Sequence, residues 1–253
     1  MGRVVAVVNQ KGGVGKTTTA VNLAAGLALA DRPTLLVDLD PQGNATTGLG
    51  LSKEGLYPTI YHVLLDGEPL EKAVRETAVP NLCLVPADID LVGAEVELVG
   101  LPGRESKLKD ALEAPRGKFD YVLLDCPPSL GLLTVNALTA ADSALVPLQC
   151  EFYALEGLAQ LLKTVRLVRD RLNPRIEVEG IVLTMFDGRT SLAGQVKAEV
   201  HRYFSGQIFQ TVIPRNVRLS EAPSHGKPIL LYDLRSSGAL AYLELTKEVL
   251  AHD

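Results

Sequence analysis

Near its amino end the chain reads Gln10-Lys11-Gly12-Gly13-Val14-Gly15-Lys16-Thr17-Thr18. Glycines at 12, 13 and 15 let successive backbone N–H groups turn inward around an anion, and lysines stand on either side of them. Gly15-Lys16-Thr17 satisfies the end of the Walker A pattern, whose first glycine is replaced here by Gln10, with Lys11 added. The chemistry this spacing serves is phosphate binding. The backbone from Gly12 to Thr18 would cradle phosphate oxygens, Lys16 would reach the β- and γ-phosphates, and the Thr17 hydroxyl would bind Mg²⁺. Two further stretches end in acids. Val37-Asp38-Leu39-Asp40-Pro41-Gln42-Gly43 offers two carboxylates, and Tyr121-Val122-Leu123-Leu124-Asp125-Cys126-Pro127-Pro128 is an apolar run ending in one. That apolar run has the form of a Walker B strand. Asp125 would hold Mg²⁺ through a water, and the two prolines would stiffen the loop that senses the γ-phosphate.

Such groups work only if the chain delivers them to one place. Arg3–Val8 is a continuous β-branched run, the pattern of a strand buried on both faces of a parallel sheet, and it ends just before the glycines. Similar runs at Thr34–Val37, Leu82–Val85, Tyr121–Leu124, Ala144–Pro147 and Glu179–Leu183 alternate with helical patterns. Those helices are expected over Lys16–Ala30, Ala87–Leu98, Glu105–Glu113, Leu130–Ala141, Ala154–Arg171, Leu192–Phe204 and Ser237–Ala251. The alternation predicts one α/β domain over residues 1–253, of the P-loop type, with a mostly parallel twisted sheet flanked by helices on both faces. Ligands of such sheets bind at the carboxyl ends of the strands, where Asp38, Asp40 and Asp125 fall. The stretches Gly43–Pro58 and Pro214–Pro228 read as long ordered loops, which in a compact domain usually serve function.

Composition narrows the function classes. Of 253 residues, 47% are hydrophobic and 22% charged, enough apolar content for a large core. No apolar run approaches the roughly 18 residues of a membrane span, and the first residues carry neither a cleavable export signal nor a myristoylation signal, so a cytoplasmic protein without a membrane partner is expected. Three cysteines without a CxxC pair suggest neither disulfides nor zinc. The net charge of −5 argues against coating nucleic acid with the whole surface. Between Arg189 and Arg235, however, Arg189, Lys197, Arg202, Arg215, Arg218, Lys227 and Arg235 outnumber Glu199, Glu221 and Asp233. That segment could meet DNA phosphates weakly as one copy and more strongly when two copies join.

The segments KGGVGKTTTAVNLA, VDLDPQGNAT, LLDCPPSLG and VIPRNVRLSEAPSHGKPI resemble the ParA/Soj chromosome-partition ATPases, the deviant Walker A family that also contains MinD, and the resemblance spans essentially the whole chain. It is to the small Soj type, which lacks an N-terminal DNA-binding domain. The resemblance implies ATP and Mg²⁺ as cofactors and a nucleotide-sandwich homodimer. In it Lys11 crosses to the partner's phosphates, and Gly12 lets the two loops approach. Lys11, Lys16 and Asp40 form the catalytic set, with Asp40 orienting the attacking water and Asp38 supporting metal and loop geometry. Met185, Pro214 and Asn216 surround the adenine, and Glu151 reaches a ribose across the dimer. Arg189 and Arg218 match the family's DNA-binding positions. A nucleoid-associated protein follows, whose ATP dimer holds double-stranded DNA without sequence preference and is reset by a ParB/Spo0J-type partner.

Two other readings share the loop. A MinD-like membrane-cycling ATPase needs a basic amphipathic end, whereas this chain ends TKEVLAHD. An iron-sulfur reductase of the nitrogenase iron-protein type needs cysteines placed to bridge two subunits, and Cys126 and Cys83 sit against or within buried strands.

Overall fold

The computed structural model describes residues 2–204 and 206–252. Its frame is an eight-stranded sheet of β1 (Arg3–Val7), β2 (Thr34–Asp38), β3 (Arg75–Glu76), β4 (Leu82–Val85), β5 (Tyr121–Asp125), β6 (Ser143–Gln149), β7 (Glu177–Phe186) and β8 (Ile208–Pro214). The order across the sheet is β3-β4-β2-β5-β1-β6-β7-β8, and all pairs are parallel except β3 with β4. β5 lies between β1 and β2, with Val7 and Asp38 both in register with Asp125. The chain leaves β1 towards one edge and later crosses from β5 over β1 to β6. The carboxyl end of β1 is thus the switch point where open α/β sheets bind ligands.

Alternate residues of the central strands feed two cores. Val4, Ala6 and Val8 face one side with Leu35, Val37, Val122 and Leu124, under the helices Leu91–Glu97, Leu132–Ala140 and Ala154–Arg171. Val5 and Val7 face the other with Leu36, Tyr121 and Leu123, under the helices Lys16–Leu29 and Ser237–Ala251. Burial on both faces is why these strands read as unbroken apolar runs. The last two helices touch closely. Gly26 faces Thr246, where any Cβ would fall well inside contact distance of Thr246 Oγ1, and Thr19 Oγ1 meets the Tyr242 hydroxyl at 3.2 Å.

The structure departs from the expected elements at several points. The edge strand β8 is additional to the expected strands: only Phe209 and Ile213 of its seven residues are buried, so it has no continuous apolar run. The two stretches expected as loops contain helices. Asn44–Gly48 follows a left-handed Gly43 (φ 56°), and Val217–Glu221 starts at Asn216, whose side chain accepts from the N–H groups of Arg218 and Leu219. Short sequences carry little helical periodicity, so local caps decide them. The helix expected from Ala87 begins at Leu91, because Asp88 accepts from Asp90 N–H and holds a turn there.

Candidate nucleotide site

The loop after β1 is held open by bonds that leave its own N–H groups free to turn inward. Buried Asn9 accepts from Lys11 N–H at 3.0 Å through Oδ1 and donates to the Pro147 carbonyl at 2.8 Å through Nδ2. Thr184 Oγ1 donates to the Val14 carbonyl at 2.7 Å. Gly13 and Gly15 adopt φ of 75° and 86°, a region that favours glycine, which places the chain at the start of the helix Lys16–Leu29. The two lysines then diverge. Buried Lys16 folds back and donates to the Lys11 carbonyl at 3.0 Å. Burial lowers its pKa, and the nearby Asp125 works against that shift. Half-exposed Lys11 points outward instead and pairs with Glu151.

The three carboxylates are not equivalent. Asp38 is fully buried and saturated: Oδ1 accepts from Asp40 N–H at 3.1 Å, and Oδ2 accepts from the Thr46 N–H at 2.8 Å and hydroxyl at 2.7 Å. Burial nonetheless pushes its carboxyl up to about 6, against those donors. These three bonds tie the backbone of residues 40 and 46 to the end of β2. Asp40 uses Oδ1 to accept from Gln42 N–H at 2.9 Å, which fixes the turn at Pro41. Its Oδ2 has no hydrogen bond within the chain among the described residues.

Asp125 differs from both. It has no solvent exposure, and neither carboxylate oxygen has a hydrogen-bond partner of standard geometry, although the Thr17 hydroxyl is close enough to lower its pKa. Burial first, and the charge of Asp38 second, push it well above the usual carboxylate range. A buried charge without partners is costly, and a cation relieves it. Asp125 beside Thr17 therefore fits Mg²⁺. Among the described residues no three acidic, His or Cys side chains converge into a ready-made cage. That suits an ion usually held by one or two side chains, phosphate oxygens and water.

Beside the loop lies a cavity of about 220 Å³. Gly15 and Thr18 of the loop and helix start line it together with Met185, Pro214, Asn216 and Tyr242. The three residues expected around a base are thus brought together next to the phosphate cradle. Met185 holds a left-handed φ of 48° at the end of β7, an uncommon conformation for its type. Asn216 spends its Oδ1 on the helix cap and donates to Ser237 Oγ at 2.7 Å, so it fixes the wall as much as it lines it. Thr184 and Thr46 matter here although sequence reading assigns neither a role: Thr46 closes the segment VDLDPQGNAT, Thr184 lies outside the quoted segments, and nothing in their spacing singles them out.

A family model described as an AAA domain matches residues 2–178. The sporulation initiation inhibitor protein Soj of Bacillus subtilis (strain 168) is 58% identical over 252 residues, covering all of both chains. The chromosome partitioning protein ParA of Myxococcus xanthus is 56% identical over 253 residues, covering all of this chain and 89% of that one. The chain belongs to the Soj/ParA family of chromosome-partitioning ATPases. Solved structures agree on the fold. A Mycobacterium smegmatis protein described as cobyrinic acid a,c-diamide synthase, with bound ATP analog and magnesium, superposes with TM-score 0.88 at 40% identity, covering 100% of this chain and 96% of that one. The cell division ATPase MinD of Pyrococcus furiosus gives 0.82 at 26%, covering both chains fully.

Within one chain Glu151 pairs with Lys11, the lysine expected to cross to a second copy, and it is not among the residues lining that chain's own cavity. Arg189 and Arg218 are both exposed, and each carries its own counter-ion. Arg189 makes two bonds to Asp187, at 2.8 and 2.6 Å, and Arg218 pairs with Glu221 at 2.8 Å and Asp233 at 3.5 Å. Asp187 lies just before the basic segment in the sequence and so offsets a charge that the segment alone shows as free. Arg202 sits near the far end of the helix Ser191–Tyr203, roughly 16 Å along its axis from the end next to Arg189 by helical rise.

Proposed function

We propose that this chain is a DNA-segregation ATPase that cycles through a nucleotide-sandwich homodimer. In the ATP state the dimer binds double-stranded DNA without sequence preference, and a ParB/Spo0J-type partner stimulates hydrolysis and releases it. Such a protein works in the cytoplasm, on the nucleoid. The observation that carries this reading is the divergence of the two loop lysines. Lys16 is folded into the loop, while Lys11 reaches outward to Glu151 and can be offered to a second copy.

In this reading the N–H groups from Gly12 to Thr18 bind the phosphates and Lys16 neutralises the β- and γ-oxygens. Thr17 and Asp125 would hold Mg²⁺, which supplies positive charge between the phosphates when bound. The free Oδ2 of Asp40 orients a water for in-line attack on the γ-phosphorus. Lys11 of the second copy adds a cation to the charge that develops there, as an arginine finger does. Met185, Pro214 and Asn216 hold the base. The membrane-cycling alternative is disfavoured by the last helix, since Ala239, Tyr242, Leu245 and Val249 are buried in the core rather than free for lipid. No helix among the described residues is long and apolar enough to cross a membrane.

Gly12→Val tests the sandwich. A Cβ at Gly12 meets only the Pro128 Cβ, at 3.9 Å, so one chain has room for a side chain to begin there. The variant is expected to bind ATP with wild-type affinity yet sediment as a monomer with ATP. An ATP-dependent dimer of this variant would remove Gly12 and Lys11 from the interface.

A further inference from the structure

The helix Ala154–Arg171 buries Leu158, Leu161, Val165 and Val168 in the core, and its outer face grows basic towards its end. From Lys163 to Arg175 five cations, Lys163, Arg166, Arg169, Arg171 and Arg175, stand against one acid, Asp170. The nucleotide site makes no use of them. Arg169 lies roughly 22 Å along the helix axis from Ala154, whose N–H bonds the carbonyl of Glu151, the partner of Lys11.

Where this helix passes the end of the helix Ser191–Tyr203 there is a second cavity, of about 230 Å³, as large as the one beside Gly15. Val178, at the start of β7, and Phe204 are among its apolar walls, while Arg166, Arg169, Tyr203 and Gln207 bring polar groups to it. No carboxylate is among its described lining residues. Arg169 donates from Nε to the Ile176 carbonyl at 2.8 Å, which fixes the plane of its guanidinium and leaves both terminal nitrogens unbonded among the described residues. Arg166, three residues earlier, has no ion pair among them either, unlike Arg189 and Arg218. Like charges one helical turn apart repel, so an anion shared by both guanidiniums is favoured. Tyr203 supplies a different group. It is 64% exposed, and the Arg202 Cζ lies over its ring, 5.7 Å from the centroid. An open aromatic face beside arginines is a surface on which a base stacks while its phosphate is held.

We infer that this cleft binds a nucleotide, with its phosphate at Arg166 and Arg169 and its base on Tyr203, either free or as an unpaired residue of a strand. The ring decides against other anions. Inorganic phosphate and phospholipid headgroups have no aromatic ring to stack, and the paired bases of a duplex keep their faces covered. Because Val178 marks the edge of the sheet opposite the phosphate loop, the occupant and ATP can be held at once, and the inference goes beyond the ATPase reading rather than resting on it.

The test is equilibrium dialysis of radiolabelled GMP against the full chain with saturating Mg-ADP, which occupies the phosphate loop. ADP binding is measured in parallel, so a failure of that loop is seen as such. One GMP per chain is expected, weakened about tenfold in Arg166→Gln and in Tyr203→Leu and retained in Tyr203→Phe, with ADP affinity unchanged in all three. Both positions are exposed, so the variants should fold. Single-stranded oligothymidylate that displaces GMP at lower concentration than unlabelled GMP would support the cleft and name a strand as the source, and the reverse order would support it and name the free nucleotide. Absence of binding by both probes overturns the proposal, as does equal GMP affinity in the wild type, Arg166→Gln and Tyr203→Leu. Displacement of GMP by inorganic phosphate or by duplex DNA as readily as by unlabelled GMP also overturns it, since neither offers a base to the ring.

Discussion

The Asp125 carboxyl is fully buried with neither oxygen hydrogen-bonded, so its charged form destabilises the nucleotide-free chain, while in the proposed site the same group would hold Mg²⁺. Because its pKa is raised on folding, the folded chain favours the protonated form. That contribution to stability is complete below the unfolded carboxylate pKa and is lost as pH rises through the folded one. Asp125→Asn keeps the shape and removes the charge. It should raise the Tm of the nucleotide-free chain at pH 7.5, by about 2–4 °C per kcal/mol relieved, with a smaller gain at pH 5. Calorimetry at the two pH values decides, and a gain that grows on acidification would mean that the carboxylate is already compensated. The same variant should lose the Mg²⁺ dependence of nucleotide binding. Asp40 makes the contrasting case. Its Oδ1 serves the turn and its Oδ2 does not, so Asp40→Ala should leave ATP binding and ATP-dependent dimerisation intact and lower turnover by at least about 10². Unchanged hydrolysis would assign Asp40 to the turn alone.

At the scale of elements, the phosphate loop and both acidic strand ends were legible in the sequence. Cradling phosphate needs contiguous residues, and strands buried on both faces leave unbroken apolar runs. What escaped leaves no periodic pattern: Thr184 bonding Val14 from far along the chain, Thr46 bonding Asp38 eight residues away, and the half-exposed strand β8. The pairing of the helices Lys16–Leu29 and Ser237–Ala251 was equally hidden, because its key is a glycine. Alanine for glycine inside a helix ordinarily stabilises by about 1 kcal/mol. Gly26→Ala should do the reverse, since the new methyl collides with Thr246, and overpacking of this kind costs about 1–3 kcal/mol. Thr246→Ala in the same chain should restore most of the loss. Denaturant titration of the single and double variants tests this, and independent, additive effects would show that the two helices do not share the contact.

At the scale of the molecule, the proposed DNA binding by a chain of net charge −5 would rest on a few cations, and two of those expected to carry it, Arg189 and Arg218, are already paired within the chain. Arg189 is held by Asp187 in a two-bond pair that lowers the Asp187 carboxyl to about 2, and Arg218 is shared between Glu221 and Asp233. Exposed pairs of this kind contribute little to stability, so a phosphate can take over the arginine, but the carboxylate left behind repels the duplex. Charge counted along the sequence therefore overstates the patch. Arg189→Glu should lose DNA binding while leaving ATP-dependent dimerisation unchanged. Asp187→Ala should do the opposite and tighten binding, because it frees the same arginine and removes a repelling charge. Each phosphate contact on duplex DNA contributes a log–log salt slope of roughly −0.9, and a dimer presents Arg189 twice. Arg189→Ala should thus flatten the slope by about 1.8, whatever the sequence of the duplex. The measurement is binding to unrelated duplexes across a salt series with ADP, ATP or no nucleotide. Equal binding in all three states would defeat the dimer switch, and weaker binding by Asp187→Ala would show that Asp187 positions the arginine rather than competing for it.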